Sequence, residues 1–286
     1  ITEDGNVVVT TGHPDIGGSR ASIANITAEL LGIDVNRVSV LIGDTATIGF
    51  SNLTGGSRVL FASALVVTES TNQVIDILKD RASKIWNIDK EAIEWENGEA
   101  RPAGDNAGKF KPLSLVELAE QATPTGGPIG AGHQVNTVGA EGGFATHICD
   151  VEVDIELGIA RVIRYTAAQD VGKAIHPAYV EGQLQGGVVQ GIGWALNEEY
   201  IYNKEVKLDN PGYLDYRIPV CSDLPMIDTI LVEVPNPKHP QGVRGVGEVP
   251  IVPPLSAIAN AIYNAIGTRF YSLPMSPPKV LEKISE

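Results

Sequence analysis

The spacing of apolar residues along the chain predicts where its strands and helices lie. Short β-branched runs predict strands, and apolar residues three or four positions apart predict helices. Ile23, Ile26 and Leu30 follow the helical spacing, and Gly32 stands where a C-cap glycine belongs. The predicted strands are 5–11, 37–42, 144–155, 160–168 and 228–235. The predicted helices are 21–31, 58–82, 113–122, 179–194 and 254–266.

Two turns predict antiparallel strand pairs. Asn97-Gly98 lies at the centre of a hairpin over 91–101. Glu156-Leu157-Gly158 separates two strands with period-two alternation, carried by Val151, Val153, Ile155, Val162, Ile163 and Tyr165. The segment 123–143 is rich in Gly, Pro and Thr, which is typical of a long connector. The pattern therefore predicts two halves, approximately 1–122 and 144–286, within one domain over 1–286.

Composition and charge exclude several classes of partner. The chain has 286 residues and a formal net charge of −14. This charge argues against nucleic acid or an anionic membrane as the main partner, because binding phosphate groups needs clustered Lys and Arg. No apolar run approaches the roughly 18 residues of a membrane span, and no signal peptide is visible. We expect a cytoplasmic protein that binds neither nucleic acid nor membrane.

The metal-ligating residues do not form a protein metal site. Cys149 and Cys221 are the only cysteines, too few for an iron–sulfur cluster or a four-cysteine zinc site. The five histidines lack HExxH spacing. We therefore expect two buried thiols in a reducing compartment, with a disulfide as the alternative, and no protein-bound zinc.

One tetrapeptide occurs twice, each time between a predicted strand and a predicted helix. Gly17-Gly18-Ser19-Arg20 and Gly55-Gly56-Ser57-Arg58 are identical. Gly-Gly-Ser at a helix N-terminus presents backbone N–H groups and a hydroxyl to an anion. Two serine-capped, tightly packed helices are the alternative. Neither copy is a GxGxxG, which disfavours a nicotinamide-dependent Rossmann enzyme.

Two further stretches are unusually rich in glycine. The predicted helix 179–194 contains five glycines, although each costs about 1 kcal/mol relative to Ala in a helix. Close approach of a cofactor or of another helix explains them, and both explanations can hold together. In 241–250, Gly242, Gly245 and Gly247 allow positive φ and close approach to a ligand, and Glu248 ends the turn. A carboxylate held in place by this turn would suit the role of a general base. The alternative is a tight strand-to-helix connection with an exposed Glu.

Laid end to end, these motifs resemble the C-terminal half of the molybdopterin-binding subunit of molybdenum hydroxylases. This is the xanthine oxidase / aldehyde oxidase / carbon monoxide dehydrogenase family. The most specific matches are 181–183 through 190–193 and Gly245-Val246-Gly247-Glu248, in the family's order and spacing. The resemblance implies an α+β fold, the family's molybdopterin-binding domain, with two α/β halves and mixed sheets.

The resemblance also implies a role for particular residues. Glu248 matches the catalytic general base beside the molybdenum, and burial would suit it to that role. Gln190 matches a glutamine that hydrogen-bonds the pterin. The implied cofactor-binding positions are Gly17, Gly18, Ser19, Thr54, Gly55, Ser57, Asp170, Gly172, Lys173, Gln190 and Gly247. The pterin holds the metal, so no residue is expected to ligate it directly.

Two departures from the family pattern stand out. Ile16-Gly17-Gly18-Ser19 replaces the usual Met-Gly-Gln-Gly, so the amide of that glutamine is absent at Gly18. The family's first molybdopterin domain, with its Phe-Gly-Gly segment and much of the substrate pocket, is also missing. The chain resembles the medium molybdopterin subunit of bacterial nicotinate dehydrogenase, a split enzyme, and a fragment is the competing explanation.

The resemblance implies a molybdenum-dependent oxidoreductase subunit that hydroxylates an electron-poor carbon with oxygen from water. The substrate would be an N-heterocycle, such as nicotinate or a purine, or an aldehyde. The implied cofactor is molybdenum on molybdopterin in its cytosine dinucleotide form. The implied partners are a second molybdopterin-type subunit, an iron–sulfur subunit and an FAD subunit. A non-catalytic subunit or fragment that only clamps the cofactor is the alternative.

Overall fold

A computed structural model describes residues 1–286. Its strands are β1 (Val7–Thr11), β2 (Val38–Ile42), β3 (Ile93–Glu96), β4 (Glu99–Pro102), β5 (Leu113–Ser114), β6 (Ala145–Asp154), β7 (Ile159–Asp170) and β8 (Ile227–Val232). Its α-helices are α1 (Ser19–Leu31), α2 (Val59–Trp86), α3 (Leu115–Glu120), α4 (Ala122–Thr125), α5 (Pro177–Leu196), α6 (Pro253–Ile266) and α7 (Pro277–Ser285). Short 3-10 helices lie between them.

The chain folds into two compact units, and one short segment from the second half of the sequence belongs to unit 1. Unit 1 comprises Ile1–Ala140 and Asn236–Val243, and unit 2 comprises Glu141–Pro235 and Arg244–Glu286. The segment 236–243 joins unit 1 through long-range hydrogen bonds: His239 Nε2 lies 3.0 Å from the Phe61 carbonyl oxygen, and Gln241 Nε2 donates to Thr68 Oγ1 at 3.1 Å. The chain therefore leaves unit 2 at Asn236 and returns to it at Arg244, within the predicted general-base stretch 241–250.

Unit 1 begins with two successive pairs of a strand and a helix. β1 and β2 pair in parallel, with Val7 opposite Val38, and α1 connects them. Gly32 ends α1 in the left-handed conformation, and its N–H bonds to the Ala28 and Glu29 carbonyls, as predicted for a C-cap glycine. The 28 residues of α2 extend four beyond the predicted end and pack against α1, α3 and β3.

The predicted hairpin of unit 1 is also present. Asn97 and Gly98 both have positive φ (51° and 77°), as the two-residue turn between β3 and β4 requires. The helix predicted at 113–122 instead begins at Leu115. Ser114 caps it through a reciprocal capping box with Glu117, while Leu113 and Ser114 pair with β4 as β5.

Unit 2 is built on a three-stranded mixed sheet. β6 and β7 are antiparallel, as predicted, and β8 is parallel to β7. The predicted alternation in β7 is interrupted, because a register shift leaves Ile163 outside the regular pairing and 56% exposed. This bulge explains why Val162 and Tyr165, three positions apart, are both buried.

Helices α5 and α6 complete the core of unit 2. One stretch, Val249–Ile266, is long and apolar enough by length and composition to cross a membrane. Ile258 and Ile262 of this stretch are fully buried in the core cluster with Val162 and Tyr165. One face of this stretch therefore packs on the core of unit 2, although only 22% of the stretch is buried.

We expect the stability of the chain to fall in mild acid because of His147. Its Nδ1 lies 2.9 Å from Tyr165 Oη, and burial lowers the pKa of His147 from 6.5 to about 4. Between these values the unfolded chain binds a proton that the folded chain does not, so stability is lost as pH falls from about 6.5 to about 4. Urea unfolding midpoints of wild type and His147→Gln at pH 7 and pH 5 measure the effect. The glutamine variant should lose less stability than wild type, and equal losses would contradict the assignment.

Candidate functional site

The first glycine turn of unit 1 adopts a conformation that favours glycine. Gly17 and Gly18 have φ of 60° and 74°, and α1 begins at Ser19. Ser19 is buried, and its hydroxyl donates to the Pro14 carbonyl oxygen at 3.2 Å. The helix N-cap is Gly18, without a side-chain hydrogen bond, so the serine-cap alternative does not describe α1.

The second turn has the same sequence but a different position relative to its helix. α2 begins at Val59 and its N-cap is Arg58, so all of 55–57 lies before the helix. Gly56 and Ser57 have φ of 68° and 57°. A left-handed conformation costs a non-glycine residue about 1–2 kcal/mol, and such strain is concentrated at functional sites. A Cβ at Gly56 would meet nothing within 4 Å, so the turn faces open space.

His13 joins the two loops that carry these turns. Its Nε2 lies 3.5 Å from Arg58 Nη1, and its Nδ1 lies 3.3 Å from Ser63 Oγ. Arginine can only donate, so Nε2 is the acceptor and Nδ1 carries the proton of the neutral ring. Burial, and secondarily the charge of Arg58, lowers the pKa of His13, which agrees with a neutral ring. The structure thus brings both loops together within unit 1.

A cavity of about 680 Å³ lies beside these loops, within unit 1. Residues of β1, α1 and α2 and of the segments 48–52 and 130–137 line it, and its polar lining includes His13, Arg58 and Asn52. Its volume is within the range of small-molecule sites. Sequence analysis did not single out His13. The available signal was its place between the end of β1 and the first glycine turn.

In unit 2, the predicted Asp170–Lys173 segment forms a turn in which the amides of Val171 and Gly172 are hydrogen-bonded. Asp170 Oδ1 accepts from the Gly172 N–H at 3.0 Å, and Val171 N donates to the Val232 carbonyl oxygen. The Ala174 N–H donates to Glu233 Oε2 at 2.9 Å. The Asp170 carboxylate is therefore directed at its own turn and at Arg244, at 3.2 Å. Cofactor contacts by Asp170, Gly172 and Lys173 stay a prediction.

The glycines of α5 divide into two groups by what surrounds them. Added Cβ atoms at Gly187, Gly191 and Gly193 would lie 2.5–2.7 Å from carbons of Pro250, Pro254 and Pro219, respectively. These three glycines therefore permit close packing. At Gly182 and Gly186 a Cβ would meet nothing within 4 Å, and internal packing does not explain them. Gln190 is exposed and lies one turn after Gly186 on the same face.

The predicted general-base loop is held against α5 but leaves Glu248 exposed. Of its glycines only Gly242 has positive φ, so Gly245 and Gly247 do not use the conformational freedom that glycine allows. Glu248 precedes the short 3-10 helix Val249–Ile251, which packs on α5 through Pro250 and Gly187. The expectation of a buried Glu248 is also wrong in this structure, because the turn presents its side chain at the surface of unit 2.

Comparison with known proteins identifies relatives of the whole chain. Residues 1–225 match the model of the molybdopterin cofactor-binding domain. The xanthine dehydrogenase molybdenum-binding subunit of Escherichia coli O157:H7 is 29% identical over 296 residues, covering 99% of this chain and 38% of that subunit. The nicotine 6-hydroxylase large subunit of Paenarthrobacter nicotinovorans is 29% identical over 290 residues, covering 97% and 35%.

The fold has close structural counterparts. Quinoline 2-oxidoreductase from Pseudomonas putida 86 aligns with a TM-score of 0.87 and 26% identity, over 100% of this chain and 37% of that one. The likeness confirms the predicted fold class and family resemblance. The chain spans a little over a third of the length of these relatives, 35% to 38%.

Proposed function

We propose that this chain, which belongs to the molybdopterin cofactor-binding domain family, forms part of the cofactor envelope of a cytoplasmic molybdenum hydroxylase and supplies its general base. The cofactor would be the molybdenum pterin in its cytosine dinucleotide form. The residues proposed to hold it are the two glycine turns at 17–19 and 54–57, the turn at 170–173, and Gln190 with Gly247. When bound, this group supplies the oxygen-donor and redox chemistry of the reaction.

The proposal rests on the difference between the two groups of glycines in α5, those with packing neighbours and those without. Gly187 and Gly191 pack against Pro250 and Pro254, which fixes the segment following Glu248 on the helix. Gly182 and Gly186 leave an open strip that continues to the exposed amide of Gln190. Glycines cost helix stability, so two without packing neighbours indicate an external group that approaches the backbone closely. This strip fits a pterin that is hydrogen-bonded by Gln190.

The roles of the protein groups follow from their chemistry. The Gln190 amide can donate to and accept from a pterin edge. The Glu248 carboxylate can accept a proton, and it is exposed at the surface of unit 2, where we propose a substrate-bearing site formed with a partner chain. Positive φ at 17–18 and 56–57 allows the backbone of these turns to approach phosphate groups.

The substrate class and partners are part of the same proposal. We propose an electron-poor carbon as the reaction centre, in an N-heterocycle or an aldehyde. Relatives named for xanthine, nicotine and quinoline support the N-heterocycle. Another relative is named as subunit gamma of a 6-hydroxypseudooxynicotine dehydrogenase complex. We propose a second molybdopterin-type subunit, an iron–sulfur subunit and an FAD subunit as partners.

We expect the chain, purified from its natural host through a tag, to bring these partners and the cofactor with it. Native mass spectrometry should give a heteromer that includes a second molybdopterin-type chain. Elemental analysis should give about one molybdenum for each copy of this chain, and the released pterin should carry a cytosine nucleotide. An active, cofactor-loaded monomer would contradict the partner proposal, and a complex without molybdenum would contradict the cofactor proposal.

A further inference from the structure

Arg244 lies directly before the Gly245–Glu248 turn, and its side chain is only 8% exposed. Its Nε lies 3.2 Å from Asp170 Oδ2, and the same nitrogen donates to the Val234 carbonyl oxygen at 3.1 Å. Its Nη1 donates to the Gly142 carbonyl oxygen at 3.1 Å and lies 3.8 Å from Glu141 Oε2. One guanidinium thus contacts three segments of unit 2: 141–142, Asp170 and Val234.

The partner carboxylate is buried and engaged on both oxygens. The side chain of Asp170 is only 10% exposed. Asp170 is the last residue of β7 and the first residue of the 170–173 turn. While Oδ2 faces Arg244, Oδ1 accepts from the N–H groups of Gly172 at 3.0 Å and Val234 at 3.4 Å. The pair therefore connects the turn that follows β7 with the turn that carries Glu248.

A buried ion pair of this kind is weak evidence for stability, because desolvation offsets much of the attraction. The pair instead fixes the positions of the segments that it joins, because a planar guanidinium donates its hydrogen bonds in fixed directions. The opposite end of the Gly245–Glu248 turn is held by packing of Pro250 on Gly187. Arg244 therefore holds the end of the chain that enters the turn, and Pro250 the end that leaves it.

We propose that Arg244 and Asp170 form a buried clamp that sets the position of the Gly245–Glu248 turn relative to the Asp170–Lys173 turn. In this role both residues act on the reaction through the positions of the two turns. For Asp170 the role is additional to its proposed place in the cofactor-binding turn at 170–173. The catalytic consequence rests on the function proposed above. The consequence for the geometry of unit 2 does not, and it is testable in the chain without cofactor.

The first test is hydrogen exchange of the full chain without cofactor. Arg244→Lys keeps the charge but cannot reproduce the contacts of Nε and Nη1, and Asp170→Asn removes the anion. Each should raise exchange in peptides covering 170–174 and 245–252 at least about tenfold, while β6 and α6 keep wild-type protection. Arg164→Lys is the matched control, because Arg164 forms an exposed pair with Asp228 in the same unit.

The outcomes of this test separate a clamp from a general structural role. Faster exchange confined to the two turns supports the clamp. Wild-type exchange in both turns, or a uniform loss of protection across unit 2, overturns it. If Asp170→Asn does not fold, the conservative Arg244→Lys still decides between these results.

The second test uses the assembled holoenzyme. Misplacement of a base by about 1 Å can cost on the order of 100-fold in rate, so Arg244→Lys should slow substrate reduction of bound molybdenum about 10- to 100-fold. The rate is expressed per bound molybdenum, a quantity that simple loss of folded protein leaves unchanged. An unchanged rate overturns the catalytic part of the clamp. If Glu248→Gln is also without effect, the general-base function fails, whereas the hydrogen-exchange result stands independently.

Discussion

Glu248→Gln is expected to slow the reduction of bound molybdenum by substrate about 10²- to 10⁴-fold, the usual cost of losing a general base. The change preserves size and hydrogen bonding but removes the group that accepts the proton. Molybdenum and pterin contents should stay at the wild-type level, because the open strip of Gly182, Gly186 and Gln190 is untouched. Rapid mixing of the holoenzyme with substrate measures this step without the later electron transfers.

Glu156→Gln is the matched control for this variant. Glu156 is an exposed carboxylate of unit 2 in the turn between β6 and β7, so its replacement should leave the rate unchanged. Loss of cofactor from Glu248→Gln would make Glu248 a structural residue of the loop. A variant with normal cofactor content and a normal rate would favour the alternative of a cofactor clamp whose partner performs the chemistry.

Alanine at two neighbouring glycines of α5 is expected to change stability in opposite directions. Gly187→Ala should lower the free energy of unfolding by about 1–3 kcal/mol, the cost of overpacking. Its Cβ would lie 2.5 Å from Pro250 Cγ and 3.3 Å from the Ile251 nitrogen. Gly186→Ala should raise the free energy of unfolding by about 0.5–1 kcal/mol, because alanine favours helix and its Cβ enters open space.

Urea unfolding of the two variants and wild type provides the measurement. Each variant serves as the control for the other, since both make the same substitution in the same helix. Equal effects would contradict the division of the α5 glycines. In the holoenzyme, a larger side chain in Gly186→Leu should reduce molybdenum content. Full cofactor content in that variant would show that the open strip does not face the pterin.

Much of the local structure could be predicted from the sequence. The hairpin at Asn97-Gly98, the C-cap at Gly32 and the antiparallel pair β6–β7 follow from interactions within a few residues or from simple alternation. The family could also be identified, because its two most specific motifs retain their order and spacing. These features depend on residue type and spacing, which the sequence states directly.

Other features depend on which residues meet after the chain has folded. The bulge at Ile163 and the placement of 236–243 in unit 1 have no local signal. The two copies of Gly-Gly-Ser-Arg are identical in sequence, yet one helix begins at Ser19 and the other at Val59. Packing around each copy decides the start of its helix, so repetition of sequence did not imply repetition of structure.

At the candidate site, too, some features could be predicted from the sequence and others depend on the folded structure. The sequence by itself determined that Glu248 follows a glycine-rich turn and that α5 contains more glycines than a helix favours. Only the tertiary structure decided which of those glycines pack against prolines, and that Arg244 pairs with Asp170, 74 positions away (244 − 170). Glycine spacing reports that a close approach occurs, but it does not identify what approaches. That partner is set by contacts between distant segments, which come together only in the folded chain.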